Sequence, residues 1–470
     1  MNKLRNHFFL AFLVLVAANA PTSRAFSESL ESALARAYEG NPQLNAERAS
    51  VRGVDENVPQ ALSGYRPKVT ATATIGEQRY GQTTVTASQF SFIPPTSSTA
   101  YETTTPYTYG IAATQTILNG SQTANKTLTA ESQVLAAREG LRVMEQTVLV
   151  KAATVYMDVL RDAALVKIQQ SNVASLREVL RNTEQRFRLG DLTETDVSQA
   201  RVQLAQAERQ LLNAQATLSG SQADYQAIIG VPPENQTPGT PVDRFVPATL
   251  PEALAIGSVQ SPDVTAAMYG VDIAHLQVKI NEGALFPTLI VQASAQQNSE
   301  PQIGEISLFT AGVTAQLTVP IYQGGGEYSL IRQSKESVGQ KRLNLDMTRL
   351  QVRAGIARFW GQAAATKGEL QKAKVEVSAA EAALNGVRRE LLVGTRTTFD
   401  LLTYQQVLVN ARSDLVAAQH DRVVSSYNLL AAVGSLSPET LNLPVKVYDP
   451  GVHYHQIRDA WGGLRTPNGN

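Results

Sequence analysis

The chain repeats itself. Leu30-Glu31-Ser32-Ala33-Leu34 recurs as Leu250-Pro251-Glu252-Ala253-Leu254, Asn41-Pro42-Gln43-Leu44 as Ser261-Pro262-Asp263-Val264, and Pro67 falls opposite Pro287, all at an offset of 220 positions. Farther along, Gly120 pairs with Gly324, Gly190 with Gly394, Asp196 with Asp400 and Gly230 with Gly434, at an offset of 204. The 16 positions that separate the two offsets lie between Pro67 and Gly120, where Thr83 to Thr105 forms a polar Ser/Thr/Pro stretch without a counterpart of that length. A duplication this extensive means one architecture used twice, with one enlarged loop, in place of the roughly three domains that length alone allows. The expected organisation is a first repeat over 26–230, a Pro-rich linker over 231–250, a second repeat over 251–434 and a tail over 435–470.

Within each half the hydrophobic period changes. Val69, Ala71, Ala73 and Ile75 alternate with Lys68, Thr70, Thr72 and Thr74, and Ala311, Val313, Ala315, Leu317 and Val319 alternate with polar or small residues. Leu289 to Gln297 and Tyr109 to Leu118 alternate less cleanly. These are four strands of about ten residues, the length a tilted strand needs to cross a bilayer; two hairpins on a soluble sheet would read the same way.

The other period is seven. Val197, Leu204, Leu211, Leu218 and Tyr225 recur, with Ala200, Ala207, Ala214, Ser221 and Ile228 three positions later. Leu401, Leu408, Leu415 and Leu429 repeat this, broken by Arg422. Ala152 to Phe187 and Ile356 to Leu391 step likewise. Strict heptads that mix large with very small residues predict left-handed coiled coils with close helix approach. Ser121 to Phe187 would form a helix on the order of 100 Å long, at about 1.5 Å per residue. Its return helix stops at Gly230, before Pro232-Pro233, and Pro251 to Leu285 supplies the missing half. The strands then gather at one end and the tight turns at the other.

Lys3 and Arg5 precede an apolar run from Phe8 to Ala18, and Ser23-Arg24-Ala25 supplies a cleavage site, so residues 1–25 read as a signal peptide. No later segment has 18 consecutive apolar residues, so a membrane crossing must use strands. Four strands cannot close a barrel, and an open sheet in lipid leaves backbone groups unpaired; several copies must share one barrel. The 41 basic and 41 acidic side chains cancel, which gives no field favouring nucleic acid. The absence of cysteine excludes disulfides, thiolate metal sites and a thiol nucleophile.

The duplicated plan, together with Leu-Asn-Gly-Ser at 118–121, Ile-Tyr-Gln-Gly-Gly at 321–325, Gln-Arg-Phe-Arg-Leu-Gly at 185–190 and Val-Gly-Thr-Arg-Thr at 393–397, resembles the TolC-type outer-membrane efflux family over Phe26 to Leu443. The resemblance implies a mainly α fold with a membrane β-barrel, four strands per chain and a barrel completed by trimerisation. It implies a periplasmic α-barrel, a location in the outer membrane, and two partners, a periplasmic adaptor and an inner-membrane transporter. The expected function is a passive exit duct for drugs or secreted proteins. The alternative is a secreted structural coiled coil with a small β domain.

The candidate site is the pair of tight turns. Gly190 to Asp196 carries three acids and no base, while Gly394 to Asp400 carries one base and one acid. By the resemblance, Asp196 and Arg396 stand where the family's gate-holding ion pair stands, with Thr195 as a polar neighbour. The competing reading is helix capping, since Thr193-x-x-Asp196 and Thr397-x-x-Asp400 both fit a capping box. Leu391 and Thr403 depart from the family's gate, which has tyrosine and aspartate there. A ring of Asp400 carboxylates, one per subunit, would select cations at the constriction. His453-Tyr454-His455 reads as a solvated tail in preference to a metal site. Gly324-Gly325-Gly326 is a joint without a phosphate-binding pattern. No catalytic site, metal or cofactor is expected.

Overall fold

The computed structural model describes residues 28–87, 92, 94–299 and 307–467. The expected signal peptide lies outside them. Helices α1 (Leu30–Gly40), α2 (Pro42–Asp55) and α3 (Asn57–Leu62) lead into strands β1 (Lys68–Ile75), β2 (Gln78–Thr86), β3 (Thr96–Thr104) and β4 (Tyr107–Asn119). Helices α4 (Gln122–Arg188) and α5 (Glu194–Ile229) complete the first half. In the second half α6 (Leu250–Gln260) and α7 (Pro262–Gly283) precede β5 (Thr288–Ser299) and β6 (Ser307–Thr318). Helices α8 (Gly326–Leu392) and α9 (Thr398–Ala432) follow, and α10 (Gly451–Ile457) lies in the tail.

The two long helices, α4 and α8, are both 67 residues, and each ends in a glycine-led turn. Gly190 and Gly394 take φ of 83° and 79°, a left-handed conformation open to glycine at little cost. That conformation turns Asp191 N–H back to Arg186 O and Thr395 N–H back to Glu390 O, both at 3.0 Å, the Schellman closure of a helix end.

The heptad positions become the packed stripes. On α5, Val197, Ala200, Ala207 and Tyr225 are buried, and the heptad positions between them are half-buried. On α8 and α9, Ala380, Leu384, Val387, Leu401, Leu408 and Ala411 form one core cluster. Small alanines three residues from large aliphatics let paired helices approach closely. Phe187, the last heptad residue of α4, is an exception and is exposed.

The chain forms two compact units, each drawing on both sequence halves. The first comprises residues up to 45, 145–255 and 355–447; the second comprises 46–144, 256–354 and 448–470. The first is centred on Tyr38, Tyr156 and Tyr225, all fully buried, with the Tyr156 and Tyr225 rings 6.4 Å apart. Arg422, which interrupts the α9 heptad, is buried there against Asp243 of the Pro-rich linker.

The second unit holds the strands. β1, β4, β5 and β6 form one antiparallel sheet in the order β1-β4-β5-β6, which leaves β1 and β6 as edges. Residues directly opposite one another share a face. The rows Val69–Ala113–Ala293–Val313, Ala71–Ile111–Ala295–Ala311 and Ala73–Tyr109–Gln297–Phe309 make an almost wholly apolar face. The rows between them, Lys68–Thr114–Gln292–Thr314, Thr70–Ala112–Ser294–Gly312 and Thr72–Gly110–Gln296–Thr310, make a polar one. Every residue of β1 and β6 is exposed. This sheet has no hydrophobic core of its own.

Two features differ from the sequence reading. The enlarged loop contains a further strand pair, since β2 and β3 pair from Gln78↔Thr104 to Thr86↔Thr96 in a separate two-stranded ribbon. Both of its faces are polar, so no apolar alternation marks it. Part of the tail is also packed, although His455 and residues 459–467 are exposed. His453 is buried with Nδ1 3.0 Å from Asp55 Oδ2, and Tyr454 packs on Val58, Ala130 and Val134. Arg48 and Arg138 stack on Tyr448 and Tyr454 at 5.2 and 5.3 Å. Aromatic and histidine side chains that look polar in a tail become burial and hydrogen-bonding groups once arginines meet them.

Candidate functional site: the helical turns and the strand sheet

Each turn ends at a capped helix. Thr193 precedes α5 and Thr397 precedes α9, and each hydroxyl accepts the N–H of the aspartate three residues on, at 3.3 and 3.2 Å. The carboxylates reciprocate: Asp196 Oδ2 accepts Thr193 N–H at 2.9 Å, and Asp400 Oδ2 accepts Thr397 N–H at 3.0 Å. The capping reading of both turns is therefore realised. Hydrogen bonds from the Thr193 hydroxyl and backbone hold the Asp196 carboxyl below the usual carboxylate range. Those from the Thr397 backbone and hydroxyl do the same for Asp400.

Arg396 is bound within its own turn. Its Nε lies 2.9 Å from Glu390 Oε2, and this hydrogen bond, with the charges of Glu390 and Asp400, raises its pKa further. Within one chain the structure does not join Arg396 to Asp196. Glu390 escaped the sequence reading because it belongs to α8 and not to the turn, six residues before Arg396.

The two turns are nonetheless neighbours. Leu402 of α9 packs into a cluster with Val173 and Leu176 of α4 and Ala207 of α5. Beside it, Thr195, Ser198, Gln199 and Val202 of α5 face Phe399, Leu402 and Thr403 of α9 across a groove of about 240 Å³. Thr195 thus lies in this groove, and Phe399, which lines it, is exposed.

A second polar cluster joins α4 to α9 deeper in the same unit. His420 places Nε2 3.0 Å from Asp158 Oδ1 and Nδ1 2.8 Å from Asp421 Oδ1. Arg161 bridges Asp158 and Asp162 at 2.7 and 2.8 Å, and the Ser221 hydroxyl of α5 donates to Asp162. Burial disfavours the imidazolium, but the adjacent Asp158 and Asp421 carboxylates outweigh it, raising the His420 pKa. Among the described residues no group of three or more His, Cys, Asp or Glu side chains is placed to hold a metal. No described helix is long and apolar enough to cross a membrane.

A family model for the outer membrane efflux protein matches residues 33–231 and 257–435, the two halves of the duplication. The chain belongs to the outer membrane efflux protein family. It is 37% identical over 464 residues to the outer membrane efflux protein BepC of Brucella suis, covering 98% of this chain and 97% of that one. It is 24% identical over 443 residues to the outer membrane protein TolC of Vibrio cholerae, covering 92% and 96%. The fold is that of the CmeC outer membrane channel of Campylobacter jejuni, with a TM-score of 0.74 at 14% identity over 92% of this chain and 89% of that one. As a member of the outer membrane efflux protein family the chain is an outer-membrane channel protein with a periplasmic extension.

Proposed function

We propose that three copies of this chain close one barrel through the outer membrane and form a passive duct. The duct receives its cargo from an inner-membrane transporter joined to it by a periplasmic adaptor. The observation that carries this reading is the four-stranded sheet with one apolar face, one polar face and both edges unpaired. Four strands from each of three subunits make twelve, enough to enclose a lumen, and closure pairs each β6 with the next β1, so that no backbone edge meets lipid. The apolar face then meets acyl chains and the threonine-rich face lines water. From Tyr109 to Leu118 the band is roughly 25 Å tall, at about 3.3 Å per residue and a tilt of about 40°.

In this duct the helical turns are the gate. Asp196 of one turn and Arg396 of the other carry opposite charge on exposed termini that already share a groove, with Thr195 beside them. Pairing between turns would compete with the Arg396–Glu390 contact. Exposed ion pairs are worth about 0–1 kcal/mol, so a docking partner could exchange one for another. Asp400, half-buried and with its carboxyl pKa lowered by its cap, supplies a carboxylate ring at the constriction.

The test is purification in detergent, native mass measurement and planar-bilayer recording. A trimer that conducts ions supports the duct, and a water-soluble monomer that conducts none overturns it. A deletion strain assayed for drug sensitivity and for protein secretion identifies the cargo class.

A further inference from the structure

The two free edges of the sheet carry apolar side chains at the same margin. Lys68 lies opposite Thr114, Thr114 opposite Gln292 and Gln292 opposite Thr314, so β1 starts at the margin where β6 ends. At the β1 edge the margin is occupied by the end of the C-terminal tail. Arg66 Nη1 donates to Ala460 O at 2.5 Å, and its guanidinium lies 4.7 Å from the centre of the Trp461 ring. The tail is brought there by fixed contacts, His453 on Asp55 at 3.0 Å and Arg458 on Glu131 at 3.4 Å. Trp461 nevertheless remains 76% exposed and Leu464 fully so. Arg66 covers one face of the indole and leaves the other open. At the β6 edge, Ile321 and Tyr322 are 92% and 78% exposed.

Single exposed apolar residues are ordinary, but two clusters on opposite edges at one margin have a geometric consequence. Ring closure that pairs β6 with the next β1 brings the Ile321–Tyr322 segment of one subunit to the Trp461–Leu464 segment of its neighbour. Each patch differs from the other, as a head-to-tail ring requires. We propose that the tail segment Arg458–Arg465 is a clasp that docks on Ile321 and Tyr322 of the adjacent copy, with the open face of Trp461 meeting the tyrosine ring. The clasp rests on the trimer reading. It gives the tail, which lies outside the sequence repeat, a part in locking the seam at the base of the barrel.

The absence of cysteine makes a clean test possible. Trp461→Cys and Tyr322→Cys, singly and together, are purified in detergent, weighed in native form and treated with a short bismaleimide. The double variant is expected to give covalent dimers and trimers and each single variant only monomer. In addition, Trp461→Ala with Leu464→Ala is expected to lower the temperature at which the trimer dissociates in dodecyl sulfate. A native trimer without cross-links overturns the clasp alone, whereas a native monomer overturns the trimer and the clasp with it. In a Trp360→Phe background, quenching of Trp461 fluorescence by brominated phospholipid without cross-linking assigns the segment to the bilayer surface and also overturns the clasp.

Discussion

Arg422 of α9 is buried against Asp243 of the Pro-rich linker, at a position where the heptad calls for an apolar residue. Its Nη1 has no hydrogen-bond partner. A buried guanidinium is costly to desolvate, and one carboxylate that is itself half exposed repays only part of that cost. Arg422→Leu is therefore expected to leave the thermal midpoint unchanged or to raise it. Asp243→Ala should lower stability by about 1–3 kcal/mol, less than for a fully buried pair because water screens Asp243. Circular dichroism melts of both variants in detergent decide the matter; a large loss from Arg422→Leu would make the arginine a stabilising element of α9.

His420 gives the helical region a pH dependence with a defined sign. Its folded pKa lies above the ordinary value of 6.5, so its stabilisation is complete below that value and fades as pH rises through the folded pKa. Asp158 behaves oppositely. Burial raises its pKa, but the contacts with His420 and Arg161 outweigh this, so its contribution is present above 3.8 and is lost as pH falls through a lower folded value. His420→Gln should therefore cost most stability between about pH 4 and 6.5 and progressively less at higher pH. Melting temperatures of the variant and wild type across that range provide the check, and a pH-independent gap would remove the charged histidine from the account.

Much of this was legible in the chain because period and duplication are local signals. The seven-residue step located the buried stripes of α5, α8 and α9, and the glycine pairs located both turns. The ribbon of β2 and β3 was not legible. Tyr101 lies where a Cβ on Gly81 would stand, 2.9 Å away, and pairs with Arg79 by cation–π contact, but such contacts leave no apolar period in Ser/Thr-rich sequence. The buried His453 and Arg422 were hidden for a related reason: each depends on one distant partner, Asp55 or Asp243, that no spacing rule connects to it. At the turns, the capping boxes followed from residues three apart, whereas the Glu390–Arg396 contact crosses an element boundary.

The proposed ring of Asp400 carboxylates makes a prediction about selectivity. Hydrogen bonds from Thr397 hold its carboxyl below the ordinary range, so the charge persists in acid where a free carboxylate would be neutral. In the proposed ring the three like charges oppose that effect, so the check is the charge itself: cation preference in planar-bilayer recordings should fall in Asp400→Asn. Unchanged selectivity in that variant would place Asp400 outside the conducting path.

Asp196 has two roles to separate, because one carboxylate both caps α5 and carries the charge assigned to the gate. Asparagine can still accept the Thr193 N–H but carries no charge to form an ion pair with Arg396, so Asp196→Asn should raise single-channel conductance while leaving helix stability nearly intact. Thr193→Ala removes the hydroxyl cap but keeps the charge. It should cost about 1 kcal/mol of local stability without opening the channel to the same degree. Arg396→Ala should match Asp196→Asn, and Glu390→Gln, by freeing Arg396 for its neighbour, should move conductance the other way. Four recordings under one buffer distinguish the roles: if only Thr193→Ala opens the channel, helix capping holds the turns and the ion pair does not.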